Sequence, residues 1–363
     1  MEDHPVFTAL STSARQLYLL LRCIAFASRA EVQITSNGIR FSVEQSRVVQ
    51  GLAFLDKGLF SSYNLNVFEE EQSSVPPFQI SLSALLETLQ IFGISDTSSN
   101  HRSHGGGFSS SYHTAFNTPA LGLGSTCRIS YAQVGAPLTI TIQEGSVTTT
   151  CEMNTYEVQS QYDDDGGIPL DRNAMCLKII MRSTWLHDAV AELAGTNPTV
   201  LVLNASNQSA PYLSLEGQGG PFGDSTVDFM PESKTEPTPS LARGKRQPLV
   251  TETFSVAAPS GSRGRVKQKY QFDLIKKAGR AMALASKVSI RQDVQGVLSL
   301  QFMIEINESG VGTTGAVGGG VASAAPDLSS GRVSFVDFRF VPLLDDDDEG
   351  EDENETEEEG SAV

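Results

Sequence analysis

The spacing of apolar residues changes along this chain, most clearly between residues 272 and 306. Phe272, Ile275, Gly279 and Met282 recur at helical spacing with Ala278, Ala281 and Ala285 beside them, which predicts a helix that starts at 272 and ends before Val288. Lys276, Lys277 and Arg280 fall on its other side, and Lys287 follows. From Val288 the period becomes two. After a turn at Asp293-Val294-Gln295-Gly296, Leu298, Leu300, Phe302, Ile304 and Ile306 alternate with mostly polar residues, as in a half-buried strand. The segment offers one packing face, one cationic face and no evident catalytic group.

The same two periods recur elsewhere. A helix is expected over 13–27, with Leu17, Leu20, Leu21 and Ile24 on one face and Arg15 and Arg22 together on another. Val32 and Ile34, the Asn37-Gly38 turn, and Ile39, Phe41 and Val43 form a hairpin signal. A strand is expected over 48–55, and a short one within 59–68. A second helix from Ser81 to Phe92 turns Leu82, Leu85, Leu86 and Leu89 inward and carries no Lys or Arg. Strand patterns follow at 127–131, 138–143 and 147–153. Between Tyr156 and Asn173 the chain is polar and acidic, with Asp163, Asp164 and Asp165 in a row before Gly166-Gly167. Beyond it come a strand at 175–181, a helix at 183–193, strands at 199–204 and 211–216, the basic helix, and a closing strand at 332–341. Helix starts near 13 and 81 are matched by starts near 183 and 272, so the order helix, sheet, helix, sheet occurs twice. The expected class is α+β, built from two similar domains. Their expected limits are 1–154, with an insertion at 95–120; a connector at 155–173; and 174–344, with Gly/Pro/Ser-rich insertions at 217–270 and 307–331. A tail follows at 345–363.

Charge alters this picture only where it is local. The formal charge is -17, but residues 345–363 hold twelve Asp and Glu and no cation. Residues 243–287 hold eleven Lys and Arg against only Glu252 and Asp273. Net acidity therefore does not exclude a surface that faces a polyanion. Cys23, Cys127, Cys151 and Cys176 lie far apart without metal-site or redox spacing, and are read as reduced, mostly buried thiols. No stretch is long and apolar enough for a membrane helix, and the start MEDHPVFTAL has no signal-peptide pattern, so a soluble intracellular protein is expected.

The order of elements, the opening SARQLYLLLRCIAF, the hairpin SNGIRFSVEQSRVVQ, the helix SALLETLQIFG and above all SKVSIRQDVQGVLSLQFMI resemble the sliding-clamp superfamily. More narrowly, they resemble the "one" subunit of the heterotrimeric nine-one-one DNA-damage checkpoint clamp. The resemblance implies a DNA clamp fold with helices lining the inner face and antiparallel sheets forming the outer shell. It also implies a nuclear, non-catalytic subunit without cofactor or metal, which closes with two sister subunits around double-stranded DNA irrespective of sequence. A clamp loader and checkpoint and repair proteins are the other implied partners. Arg15, Arg22, Arg182, Lys276, Lys277, Arg280 and Lys287 are then the expected DNA-facing cations. Val43, Ile168, Pro169, Phe340 and Pro342 are the expected lining of a partner-peptide pocket beside the connector.

Two other functions compete: a homotrimeric replicative processivity clamp and a metal-dependent 3'-5' exonuclease. The nuclease would place metals on Asp163, Asp164 and Asp165, but three consecutive residues in a Gly-flanked loop converge poorly, and a solvated linker is the simpler reading. His101, His104 and His113 lie in a Ser/Gly-rich stretch without a cysteine, and Gly318-Gly319-Gly320 lacks the Lys-Ser/Thr of a phosphate loop. Trp185 reads as core. Arg243, Lys245, Arg246 and the run from Arg263 to Lys269 read equally as an import signal, a DNA-proximal loop or a solubilising loop. The acidic tail reads by default as solubilising.

Overall fold

Two helices start at a serine just ahead of the apolar stripe. Ser13 Oγ accepts the Gln16 N–H at 3.3 Å, and Ser81 Oγ accepts the Ala84 N–H at 3.2 Å, so each satisfies a helix-end donor that has no partner within the helix. A computed structural model describes residues 4–66, 74–91, 126–158, 167–229, 251–258, 264–306 and 332–344. The expected insertion at 95–120, Asp163 to Asp165, the stretch 307–331 and the tail from 345 lie outside the described residues.

The first half runs β1 (Phe7–Ser11), α1 (Ala14–Cys23), β2 (Arg29–Thr35), β3 (Gly38–Gln45), β4 (Val49–Asp56), β5 (Ser62–Leu65), β6 (Phe78–Ser81), α2 (Leu82–Leu89), β7 (Thr126–Tyr131), β8 (Leu138–Glu144) and β9 (Val147–Met153). A short β10 (Tyr156–Glu157) opens the link to the second half. There follow β11 (Met175–Arg182), α3 (Ser183–Ala194), β12 (Val200–Ser206), β13 (Leu213–Gln218), β14 (Ser225–Phe229), β15 (Thr251–Val256), β16 (Arg265–Gln271), α4 (Phe272–Lys276), α5 (Gly279–Leu284), β17 (Lys287–Asp293), β18 (Leu298–Ile306) and β19 (Arg332–Phe340).

The pairings repeat strand for strand, all antiparallel. The order β5-β1-β7-β8-β9 is matched by β15-β11-β17-β18-β19, and β6-β2-β3-β4 by β16-β12-β13-β14. One seam joins the halves: β4 pairs with β19 from Phe54↔Phe335 to Val49↔Phe340, which fuses two sheets into one of ten strands. The repeat counterparts of the seam strands are β14 and β9, and among the described residues each is a sheet edge.

Helices cover one face of the fused sheet. They touch in the order α2, α1, α5, α3, with α1–α5 crossing from one half to the other. Beneath them the core runs through both halves. Phe338 on the seam stacks on Phe340 at 6.2 Å, meets Phe302 edge-on at 6.1 Å, and lies 6.0 Å from Phe26, which follows α1. Trp185 is half-buried against this core, as expected.

Two expectations need correction. The basic helix is not continuous. Lys277 and Ala278 N–H donate to the carbonyls of Leu274 and Ile275, three residues back, and Ala278 has ψ -3°, so α4 ends and α5 begins with a new register. The stretch 217–270, expected as inserted loop, contains β14, β15 and β16. In Arg265–Gln271 the inward positions are Val266, half-buried Gln268 and Tyr270 while cations alternate outward, a period-two pattern that the run of charge concealed. The short strand expected within 59–68 is Ser62–Leu65, behind a 3-10 turn at Lys57–Leu59.

Cys23 and Cys127 are buried, and burial pushes both thiols up to about 12. Cys176 is also buried; burial raises it, and its Sγ lies 3.1 Å from the Asp293 carbonyl. Only Cys151 is half-exposed. We expect iodoacetamide at pH 8 to label Cys151 alone in the native protein, and all four thiols after denaturation. Mass spectrometry of the labelled peptides checks this, and rapid labelling of Cys23 would contradict the packing of α1.

Candidate nucleic-acid interface and partner face

Cations concentrate on the two central helices of the row. Arg15 on α1 is exposed, while Arg22, in the last turn of the helix, is half-buried with its guanidinium 5.4 Å from the Tyr18 ring centre. On the facing segment, Lys276 pairs with Asp273 at 2.7 Å, and Arg280 is exposed without an acidic partner among the described residues. Lys277 lies over Phe26 at 5.6 Å and so ties the second half to the loop that follows α1. The flanking helices differ. On α2 the charge is Glu87, and on α3 it is Asp188 and Glu192, all exposed, beside a half-buried His187. Arg182, at the N-cap of α3, is exposed over Trp185 at 5.8 Å. Positive charge thus forms a stripe along the α1–α5 junction with acidic margins.

Lys287 does not join that stripe. It occupies β17 at an outward position, in line with Ser289 and Arg291 rather than core-facing Val288 and Ile290, and pairs with Glu252 at 2.9 Å.

The opposite face of the seam carries the end of the connector. Gln50 and Arg339 are register partners across β4 and β19, and Ile168 is held by both: its N–H donates to Gln50 Oε1 at 3.1 Å, and its carbonyl accepts from Arg339 at 2.7 Å. A Cβ at Gly167 would come within 2.5 Å of the Gln50 amide, so glycine is what allows the approach. Arg339 also reaches Asp337, whose carboxyl burial raises above the usual range, while a 2.8 Å hydrogen bond from Ser299 opposes the shift. Asp171 N–H donates to Asp293 Oδ2 at 3.1 Å, fixing the connector a second time. Of the expected pocket residues, Val43, Ile168 and Phe340 gather near the seam but are buried; Pro169 is exposed and Pro342 half-buried.

The same outward face shows a feature that sequence reasoning missed. Register pairs align Arg40, Phe54, Phe335 and Met303 in a row across β3, β4, β19 and β18, with Val333 two residues along. Phe335 is 45% exposed and Val333 38%. Alternation in RVSFVDFRF was the available signal: Val333 and Phe335 share the parity of Asp337 and Arg339, hence the solvent side. Among the described residues no group of three or more His, Cys, Asp or Glu is placed to hold a metal ion, and no helix is long and apolar enough to cross a membrane.

Residues 6–304 match the family model described as repair protein Rad1/Rec1/Rad17. The chain belongs to that family. It is 30% identical to the DNA damage checkpoint control protein rad1 of Schizosaccharomyces pombe, over 93% of this chain and 87% of the relative, and 29% identical to the human cell cycle checkpoint protein RAD1, over 85% and 89%. Its fold is similar to PCNA from Thermococcus kodakaraensis, with TM-score 0.56 at 15% identity, covering 93% of this chain and all of that one. Rad1-family membership and the clamp fold together make this chain a DNA-damage checkpoint clamp subunit, as the motifs around Ser286 to Ile304 imply. Neither the replicative nor the nuclease alternative is favoured for a Rad1-family chain.

Proposed function

We propose that this chain, without catalysing a reaction, forms one third of a nuclear heterotrimeric ring that a clamp loader closes on duplex DNA at damage, where it carries checkpoint and repair proteins. The observation that carries this reading is the pair of open edges. The seam strands β4 and β19 are joined within the chain, while their counterparts β14 and β9 are left at sheet edges. Each edge exposes a row of backbone donors and acceptors that another strand can complete. Two different sister subunits fill those edges, one on each side.

In the ring, Arg15, Arg22, Lys276, Lys277, Arg280 and, at the margin, Arg182 face the duplex. Their contacts are to phosphate, so they are salt-sensitive and indifferent to sequence. The first clamp domain spans 1–154, the connector 155–173 and the second domain 174–344. Partners dock on the outward face, beside Ile168, Pro169 and Pro342 and along the Phe54–Phe335–Met303 row, while Val43 and Phe340 point to the helix side of the seam and support that face from behind. An apolar row of this kind suits a partner segment with aromatic or aliphatic anchors.

Co-expression with the two candidate sister subunits, followed by native mass measurement, tests the reading. The expected species contains one copy of each chain, and this chain alone stays below ring size. A stable ring of this chain alone would make it a homotrimeric clamp instead. Magnesium-dependent DNA degradation that is lost on substituting Asp163 to Asp165, with folding intact, would restore the nuclease reading.

A further inference from the structure

The internal repeat makes the β4–β19 seam a template for the two open edges. Ser81 and Gln271, the N-caps of α2 and α4, are register partners of Arg29 and Val200, so β12 corresponds to β2 residue by residue. From there Ala205↔Leu213↔Phe229 matches Ile34↔Ile39↔Leu55, and Gly217↔Ser225 matches Val43↔Gly51. In the other sheet Leu138 and Leu298, the first residues of β8 and β18, pair with Met153 and Phe340. Asp224 therefore stands in the place of Gln50, and Ser225 in that of Gly51. Glu152 stands in the place of Arg339, and Cys151 in that of Phe338.

At the seam these places are complementary. Gln50 faces Arg339 on the outward side, and fully buried Phe338 faces Gly51 on the helix side. The edges carry different chemistry. Glu152 and Asp224 are both exposed, and neither is paired with a cation among the described residues. Asp224 Oδ1 accepts the Gly219 N–H at 3.2 Å, which fixes the carboxylate at the end of the β13–β14 hairpin. Were β9 of one copy to meet β14 of another in the seam register, Glu152 would face Asp224 across the ladder. Cys151 would face Ser225, and Thr148 would face Asp228 where the seam sets Phe335 against Phe54. Like charges directly opposite in an antiparallel pair are destabilising, and these small and polar residues supply little apolar contact to offset them.

We propose that Glu152 and Asp224 bar this chain from closing on its own copies and select its neighbours, each edge taking a sister strand with a Lys or Arg at the facing position. The inference rests on the reading that β9 and β14 are ring joints, and adds which side chains decide what pairs there. The selection has a repulsive and an attractive part. A second copy brings a carboxylate to a carboxylate, whereas a basic sister residue forms a charge-assisted pair beside the backbone ladder.

Sedimentation of the full chain alone, over a concentration series in low and high salt, tests the selection. The wild-type chain is expected to stay mainly monomeric. E152R and D224R each turn the facing pair into opposite charges, and each is expected to self-associate about tenfold more tightly than wild type in low salt, a gain that high salt removes. The double variant E152R/D224R restores like charges and is expected to return to wild-type behaviour. Both residues are exposed, so thermal unfolding should not change in any variant. In the co-expressed ring, E152R is expected to loosen the β9 joint alone and D224R the β14 joint alone, read by native mass measurement as loss of one sister or the other. Single variants that associate no more than wild type, a double variant that associates more than either single one, or rings indifferent to both reversals would overturn the proposal while leaving a heterotrimer in place. A wild-type chain that closes into rings by itself would overturn both the selection and the heterotrimer.

Discussion

Replacing Lys276, Lys277 and Arg280 together by glutamate is expected to weaken binding of the assembled ring to linear duplex DNA with free ends by about 100-fold at low salt, without dissociating the ring. The three side chains sit at the α4–α5 break and on α5, which packs against α1, so they form the densest part of the cationic stripe. None belongs to the core, and none lies on the edge strands β9 and β14. If each meets one phosphate, the slope of log affinity against log salt falls by about 3, near 0.9 for each contact removed. The slope separates this account from loss of folding, which would abolish binding at every salt concentration. Lys287→Glu, which replaces a cation already paired with Glu252 off the stripe, is expected to leave binding nearly unchanged. Equal losses in the two variants would mean that the stripe does not face DNA.

The second large effect concerns the seam. Phe338 is fully buried, and its ring contacts reach Phe26 in the first half and Phe302 in the second. Phe338→Ala leaves a cavity at the junction and is expected to cost about 3–5 kcal/mol. That is a large part of the roughly 5–15 kcal/mol by which a folded domain is stable. Urea denaturation should show a lower midpoint, and two separate transitions in place of one would mean that the halves had uncoupled. A loss under 1 kcal/mol would show that the seam is not a continuous core.

Much of this architecture was legible in the sequence because burial enforces periodicity. Leu82, Leu85 and Leu89 are buried as their spacing requires, and Leu298, Leu300, Phe302 and Ile304 alternate inward along β18. The expected hairpin forms, but its two-residue turn is Ser36-Asn37 and not Asn37-Gly38, since Thr35 pairs with Gly38 and Ile34 with Ile39. What failed to show were features set by backbone detail or by distant neighbours. The break between α4 and α5 depends on a ψ near zero at Ala278, a residue that ordinarily favours helix. Strands β14 and β16 are edges of their sheet, where polar and charged residues replace the apolar ones that mark a central strand.

The candidate site divides along similar lines. Helical spacing groups Lys276, Lys277 and Arg280, but the strand position of Lys287 and its pairing with Glu252 depend on β15, which falls inside the expected insertion. The burial of Ile168 reflects Gln50 and Arg339, more than a hundred residues away on either side of it. The row of Phe54, Phe335 and Met303 arises only when β4, β19 and β18 are set in register.

The β4–β19 seam bears on how a circle of such chains could open. Half of the joints around the circumference would be sealed within single polypeptides and would survive as long as each fold does. In the proposed ring, any gate for a passing duplex would therefore be where β9 or β14 meets a neighbouring molecule, and opening it would mean prising apart one backbone ladder there while the inner seams act as fixed hinges.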